Sequence, residues 1–425
     1  MRDPLDKPFF AARRRRSFPV SGERPTGMAA GRSTALLLFG LVANLVPLLT
    51  FATTLHEIAV AWGLSAAQSG WIGGIYFAGY AMAVPLLGSL SDRIDGRRLY
   101  MASSCAGAAA SFAFAAMAHG FVVAMILRFA GGIAFAGVHM PGLKLLVDRV
   151  GPGKQPRAAA YYTSSYAVGS AGSLLIAGIV DAAFGWRATF ITGGIGPLLA
   201  IGAVALLPRA AERQIAEAAS HLLEFRSLLR NRALISYVAA FAGNTWEVFA
   251  VRVWFVAYLG WTLSLPGNAL RLPPLGVIAG LASLAGLPVS IAVAEYAARH
   301  GRERTIVATC VCSVVVCLAL AATAGGPCGT VMALLVLVQI TSFADVGALA
   351  GGAVSAADPA RRGAALALYA LAGYATGFLS PVAVGLALDW FGGAASVAGW
   401  RAAFITIAFG SAAAAVAVRR APASG

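Results

Sequence analysis

The sequence predicts an all-α integral membrane protein with twelve transmembrane helices in two pseudo-symmetric six-helix bundles. Three observations carry that expectation. Apolar residues make up 59% of the 425-residue chain and charged residues only 12%, roughly half the charged share of a soluble domain. Long apolar stretches near the ~20 residues that cross a bilayer recur throughout. The chain also repeats itself. FGWRATFITGGIG at 184–196 returns as AGWRAAFITIAFG at 398–410, an offset of 214 that is close to half the chain. Upstream, Tyr166-Ala-Val-Gly169 is echoed by Tyr374-Ala-Thr-Gly377. A half-length repeat in so apolar a chain points to two stacked membrane bundles.

The spans are expected at 33–53, 69–88, 99–118, 120–142, 158–180, 187–207, 233–257, 273–294, 305–324, 330–354, 363–388 and 400–418. Six precede the charged connector and six follow it. The expected organisation is a basic tail (1–32), a first bundle (33–207), a connector (208–232), a second bundle (233–418) and a short tail (419–425). The spans must be helices, because hydrocarbon offers no water to backbone groups and excludes an open sheet edge. Length decides this, since so uniform a sequence has no telling period.

The tail carries Arg13 to Arg16, and Arg15-Arg16-Ser17-Phe18 loosely resembles a twin-arginine export signal. The apolar run that follows is too long for a signal peptide, has no small-residue cleavage site and precedes further spans. In the connector, Ile215, Ala218, Leu222, Phe225 and Leu229 recur at helical spacing. They predict an amphipathic helix on the cytoplasmic face, either a linker or a regulatory platform. Glycines within helices, such as Gly73-Gly74, Gly131-Gly132 and Gly137, let membrane helices approach closely.

The net charge of +15 is a matter of topology. With twelve spans, 27 of the 32 Lys and Arg fall on the side of the N-terminus, three (Arg187, Arg271, Arg401) on the other, and two within spans. This positive-inside asymmetry puts both termini in the cytoplasm, in a multi-pass protein of the inner or plasma membrane. It argues against nucleic acid as a partner and adds attraction to anionic lipid headgroups. Cys105, Cys310, Cys312, Cys317 and Cys328 match no metal spacing and read as small buried hydrophobes. No metal or cofactor is expected.

Between the second and third spans the chain reads Gly88-Ser-Leu-Ser-Asp92-Arg93-Ile-Asp95-Gly96-Arg97-Arg98. This resembles the loop signature of the major facilitator superfamily, with Asp95 standing where that family usually has Gly, or else as an insertion. Leu64 to Gly70 and Tyr76-Phe-Ala-Gly79-Tyr80 are similar to its approach to the second span, and Arg128-Phe-Ala-Gly-Gly132 to its second motif. Glu295 to Arg304 reads as a decayed copy of the loop signature. The resemblance covers about 33–418 and implies a transporter, not an enzyme. It also implies that the loop, with Gly88, Asp92, Arg93, Arg97 and Arg98, closes a cytoplasmic gate. Independently of that, Gly88 permits a close crossing and tight exit, and Asp92 can cap a helix or pair with an arginine.

Two carboxylates, Glu247 and Asp345, lie well within spans, together with Arg128, His139 and Arg252. A charge at the bilayer centre costs at least ~2.5 kcal/mol, so such residues usually mark a pathway and have partners. They fall in spans 4, 7 and 10, and the resemblance implies that these spans line a central cavity. Arg128 and His139 are eleven residues apart, about three turns, and share a face. Arg128 either holds an anionic substrate or balances Glu247 or Asp345. His139 either relays a proton or packs. Asn244 and Glu247 share a face, and a protonatable carboxylate there suits coupling. Asp345 has the same two readings, coupling or structure, and Arg252 either snorkels or gates. Tyr76, Tyr80, Asn44 and the Tyr161, Tyr162, Ser164, Ser165, Tyr166 cluster supply hydrogen bonds to substrate or between helices.

These readings lead to a monomeric secondary transporter that moves a small organic solute by alternating access, with H+ as the coupling ion. Arg128 and Arg252 hint at an anion. A drug/proton antiporter is the alternative, disfavoured because the fifth span lacks the Gly-Pro pair that the resemblance would lead one to expect of such antiporters. No Walker-type loop supports ATP-driven transport. A membrane receptor or enzyme is more remote, because the loops are short and lack paired metal ligands.

Overall fold

The computed structural model describes residues 27–150, 152–208, 228–358 and 361–420. Among them it is helical without strands. The helices are α1 (Gly27–Asn44), α2 (Thr50–Trp62), α3 (Ala66–Arg93), α4 (Gly96–Met117), α5 (Phe121–Val147), α6 (Gln155–Ala205), α7 (Arg232–Ser264), α8 (Leu275–His300), α9 (Arg302–Ala322), α10 (Cys328–Ala344), α11 (Val346–Ala356), α12 (Arg362–Trp390) and α13 (Val397–Arg419). Ten helical runs among the described residues are long and apolar enough to cross a membrane, one of them joining α10 and α11.

Four expected spans depart from simple rods. The first is split into α1 and α2 around residues 45–49. The tenth is interrupted at Asp345, which stands between α10 and α11. The fifth and sixth form one run, α6, folded at Gly185, whose φ of 77° is open to glycine and strained for other residues. The repeat is visible just beyond that fold. Trp186 meets Trp62 edge-on at 5.6 Å, and its repeat-mate Trp400 lies 5.9 Å from Trp261. Phe190 and Phe404 follow each tryptophan into the core. The connector helix expected at 208–232 lies largely outside the described residues, as does the tail before residue 27.

Helices up to residue 205 pack mainly on one another, as do those from 232 onward, and the two halves meet through α3 with α12 and α6 with α8. The far end of the molecule carries the 63–66, 265–274 and 390–397 connections; the near end carries 93–96 and 300–302. At the far end the halves touch backbone to backbone. A Cβ on Gly70 would strike the Pro381 carbonyl oxygen, one on Gly74 that of Phe378, and one on Gly385 that of Ala66. Gly178 and Gly276 meet in the same way between α6 and α8. Small residues here bring whole helices into contact.

Candidate functional site

At mid-depth the halves meet through rings. Phe77 on α3 lies 4.1 Å from Phe249 on α7, and Tyr80 lies 4.0 Å from Tyr374 on α12. Tyr374 Oη donates to Tyr166 Oη at 3.2 Å, so two tyrosines at equivalent positions in the repeat join across the halves. Tyr80 Oη and His139 Nδ1 are 2.7 Å apart, and the imidazole stacks on Phe135 at 5.6 Å. Tyr162 donates to the His139 carbonyl at 2.9 Å. His139 is therefore part of an aromatic wall, with one ring nitrogen committed to Tyr80.

Arg252 borders this wall. It is 3% exposed, so it does not snorkel. Its Nη1 donates to Ser170 Oγ on α6 at 2.9 Å, and the guanidinium lies 5.4 Å from the Phe343 ring. Its Nε is buried without a hydrogen-bond partner. Arg128 is equally buried but differently used. Its two Nη atoms donate at 3.1 Å to the Pro47 and Leu48 carbonyls in the break between α1 and α2, with Tyr76 4.6 Å beneath it. Ser173 completes that support, accepting from Leu49 N at 2.9 Å and donating to the Val46 carbonyl at 2.7 Å. Irregular backbone at membrane depth survives where buried side chains satisfy it. Arg128 Nε remains without a partner, beside a cavity of about 30 Å³ lined also by Asn44, Tyr76, Ser111 and Phe135.

The two carboxylates have partners of a different kind. Glu247 is fully buried inside the second half, where it accepts from Ser313 and Cys317 on α9 and from Ser411 on α13. Asp345 accepts from Asn244 Nδ2 at 2.7 Å and from Cys310 Sγ at 3.4 Å. Asn244 also donates to the Ser342 carbonyl freed where α10 ends. Among the described residues neither carboxylate has an arginine partner, so the expected balance of Arg128 by Glu247 or Asp345 is not formed. The geometry explains this: these acids point into their own bundle, toward α9 and α13.

The near-end loop is partly described. The side chain of Asp92 lies outside the described residues, and Arg93 and Arg98 are exposed. Asp95 caps α4 by accepting from Arg97 N at 2.9 Å, and the Arg97 side chain donates to the Ala205 carbonyl. Arg149, beside them, is pulled below its ordinary pKa by burial, with Asp95 opposing. A Cβ on Gly88 would meet nothing within 4 Å, so the close crossing expected there is absent. The α3–α5 crossing sits instead at Gly79 and Gly132, where each backbone fills the place of the other's Cβ.

Several residues of these clusters carried no sequence signal. Ser170, Ser313 and Ser411 are ordinary small hydroxyls, and Cys310 and Cys317 passed as packing residues although each donates to a buried carboxylate. Phe249 had no marker and Phe77 only its place between Tyr76 and Tyr80, whereas Tyr374 was flagged by the repeat.

A profile of the Major Facilitator Superfamily matches residues 32–381. The chain is 26% identical over 317 residues, 68% of its length and 69% of the relative's, to a probable L-galactonate transporter of Escherichia coli (strain K12). It is 30% identical over 132 residues to a putative niacin/nicotinamide transporter of Bacillus subtilis (strain 168), covering 31% of this chain and 33% of that one. Among solved structures it resembles a bacterial homologue of the human lysosomal transporter Spinster, inward-facing and unoccupied, with a TM-score of 0.77 at 14% identity over 94% and 98% of the two chains.

Proposed function

The chain belongs to the Major Facilitator Superfamily, and we propose that it is a proton-coupled secondary transporter of a small organic anion, working by alternating access. It is a multi-pass membrane transporter of small solutes, not an enzyme. The finer reading rests on one observation: Arg252, at the seam between the halves, is a buried guanidinium with a bare Nε and no acid partner among the described residues. An unpaired buried cation is costly, and an anionic ligand is what would offset it. Arg128 adds positive potential from the first half. The probable L-galactonate relative is named for a carboxylate, which agrees in chemical type.

Coupling is assigned to Glu247 and Asp345, whose hydroxyl, thiol and amide partners can accommodate a carboxyl group in either protonation state. Twelve crossings follow if α1–α2 makes one and α6 makes two. The bundles then span 33–207 and 233–418, and the positive-inside bias puts both termini in the cytoplasm of a cell-membrane monomer. The far end is then the outer face, closed here, and the near-end loop carrying Gly88, Asp92, Arg93, Arg97 and Arg98 belongs to the cytoplasmic gate.

The test is a melting screen of the detergent-purified protein against small carboxylates, sugars and lipophilic cations. A ligand at a hundred times its Kd adds about 2.7 kcal/mol to the folded state. Stabilisation by carboxylates, lost in Arg252→Gln, is expected. Stabilisation by lipophilic cations alone, unchanged in Arg252→Gln, would overturn the anion reading in favour of a drug/proton antiporter.

A further inference from the structure

The ring contacts between the halves and the free guanidinium form a single arrangement. Phe249 precedes Arg252 by three residues, so both project from one face of α7. Phe249 meets Phe77 of the other half, and Tyr374 meets Tyr80. Tyr374 is hydrogen-bonded to Tyr166, which lies one turn before Ser170, the residue that Arg252 holds. Glu247 and Asp345, the buried acids of the second half, are turned into their own bundle, so neither competes for the Arg252 fork. These ring pairs are contacts between bundles, and any rocking that opens the seam must pull them apart.

We propose that the transported anion is a planar aromatic carboxylate of the benzoate class, with its ring between Phe77 and Tyr80 on one side and Phe249 and Tyr374 on the other, and its carboxylate on Arg252. The inference rests on the organic-anion reading above and specifies its substrate class. Both pairs are tilted, Phe77 against Phe249 by 46° and Tyr80 against Tyr374 by 37°, and separating either exposes two ring faces. A flat ring entering the gap can meet each face in an offset or edge-on contact, the arrangements aromatic groups favour. The guanidinium has donors to spare for a carboxylate, and its planar fork suits a bidentate pair. A polyhydroxylated acid fits worse, because most of its hydroxyls would face ring carbon and lose water without finding partners. His139 and Tyr166 then offer polar edges at the rim, enough to orient a heteroatom in the ring.

Two additional ring contacts correspond to a preference of at least about tenfold. Binding of benzoate and of gluconate to the purified full-length protein tests this, since the two share one carboxylate and differ in the ring. Benzoate is expected to bind at least about tenfold more tightly. Tyr374→Leu should shrink that ratio to about threefold or less, while Tyr374→Phe, which keeps the ring, should retain it. Phe77→Leu gives the same reading from the other half if Tyr374→Leu does not fold. Gluconate binding as tightly as benzoate, with loss of both in Arg252→Gln, would overturn the ring site while leaving the anion reading intact. If neither acid binds at millimolar concentration, both readings fall.

Discussion

Tyr374 donates a hydrogen bond to Tyr166 at 3.2 Å, and the two residues occupy the same position in the two copies of the repeat. The glycine three residues after each plays the same part in its own half. Gly169 lies against Leu45 and Val42, and Gly377 against the Phe249 ring. The pseudo-two-fold axis therefore passes between the tyrosine hydroxyls, at the seam where an alternating-access carrier would bind its solute. A neutral hydrogen bond contributes about 0.5–1.5 kcal/mol. Because the hydroxyls act as a pair, Tyr166→Phe, Tyr374→Phe and the double variant should shift the opening equilibrium equally. Spin labels at His119 and Leu270, exposed in far-end loops of opposite halves, would report it. Additive shifts in the double variant would show that the hydroxyls act independently.

A second cross-half contact closes the far end. Both oxygens of Asp389, at the end of α12, accept from the first turn of α3, from Ala66 N at 2.9 Å and Ala67 N at 2.8 Å. A carboxylate at a helix N-terminus satisfies orphan donors and complements the helix dipole. In Asp389→Asn the amide nitrogen replaces one acceptor and the charge is lost. The expected loss is about 1 kcal/mol at this exposed site, which favours the far-open state about fivefold. The same label pair should show that longer distance gaining weight. An unchanged distribution would mean the contact is incidental to closure.

The two buried arginines should separate in experiment. Arg128 satisfies two carbonyls in the break between α1 and α2, so Arg128→Leu leaves two buried acceptors unpaired. The expected destabilisation is about 2–5 kcal/mol, read as a melting temperature several degrees lower. Arg252 has one bond, to Ser170. Arg252→Lys should melt near the parent yet bind its anion at least about tenfold more weakly, because an ammonium cannot form the bidentate fork. The reverse pattern would exchange the two roles.

Glu247→Gln and Asp345→Asn keep shape while removing a titratable site. Each substituted amide retains an oxygen to accept from the donor already there, Ser313 at position 247 and Asn244 at position 345. In proteoliposomes, accumulation driven by a pH gradient should fall at least about tenfold in one or both variants, while counterflow exchange at equal pH persists. Full accumulation in both would remove these carboxylates from coupling.

Sequence patterns made the fold legible because hydropathy, length and repetition are properties of whole spans. Trp186 and Trp400 could be paired from the text alone, and Tyr166 with Tyr374 likewise. The partners of individual charges were not legible. Depth along a helix can be counted from residue numbers, but direction around it depends on packing. Glu247 and Arg252 are five residues apart on α7, and one turns inward to Ser313 while the other faces Ser170 of the opposite half. The role of Arg128 depended on a break at 45–49 that no glycine signalled; Pro47 was the only trace of it.

Three glycines of α3 and α5 offer a graded steric test. Glycine-to-alanine changes within a helix gain slightly in backbone propensity, so a loss must come from the added methyl. On Gly132 that methyl would strike the Tyr76 carbonyl oxygen inside the first half, a contact that cannot relax without parting α3 from α5. Gly132→Ala should therefore lower stability by about 1–3 kcal/mol or more. On Gly74 it would strike the Phe378 carbonyl oxygen across the seam. The halves can relieve that clash by moving apart at the far end, so Gly74→Ala should melt close to the parent and populate the far-open state. On Gly88 the methyl meets open space, and Gly88→Ala should match the parent in melting. Melting curves for the three, with label distances for Gly74→Ala, decide the matter. A melting loss in Gly74→Ala equal to that in Gly132→Ala would mean that the seam is as rigid as the interior of a bundle, and the rocking motion would have to pivot elsewhere.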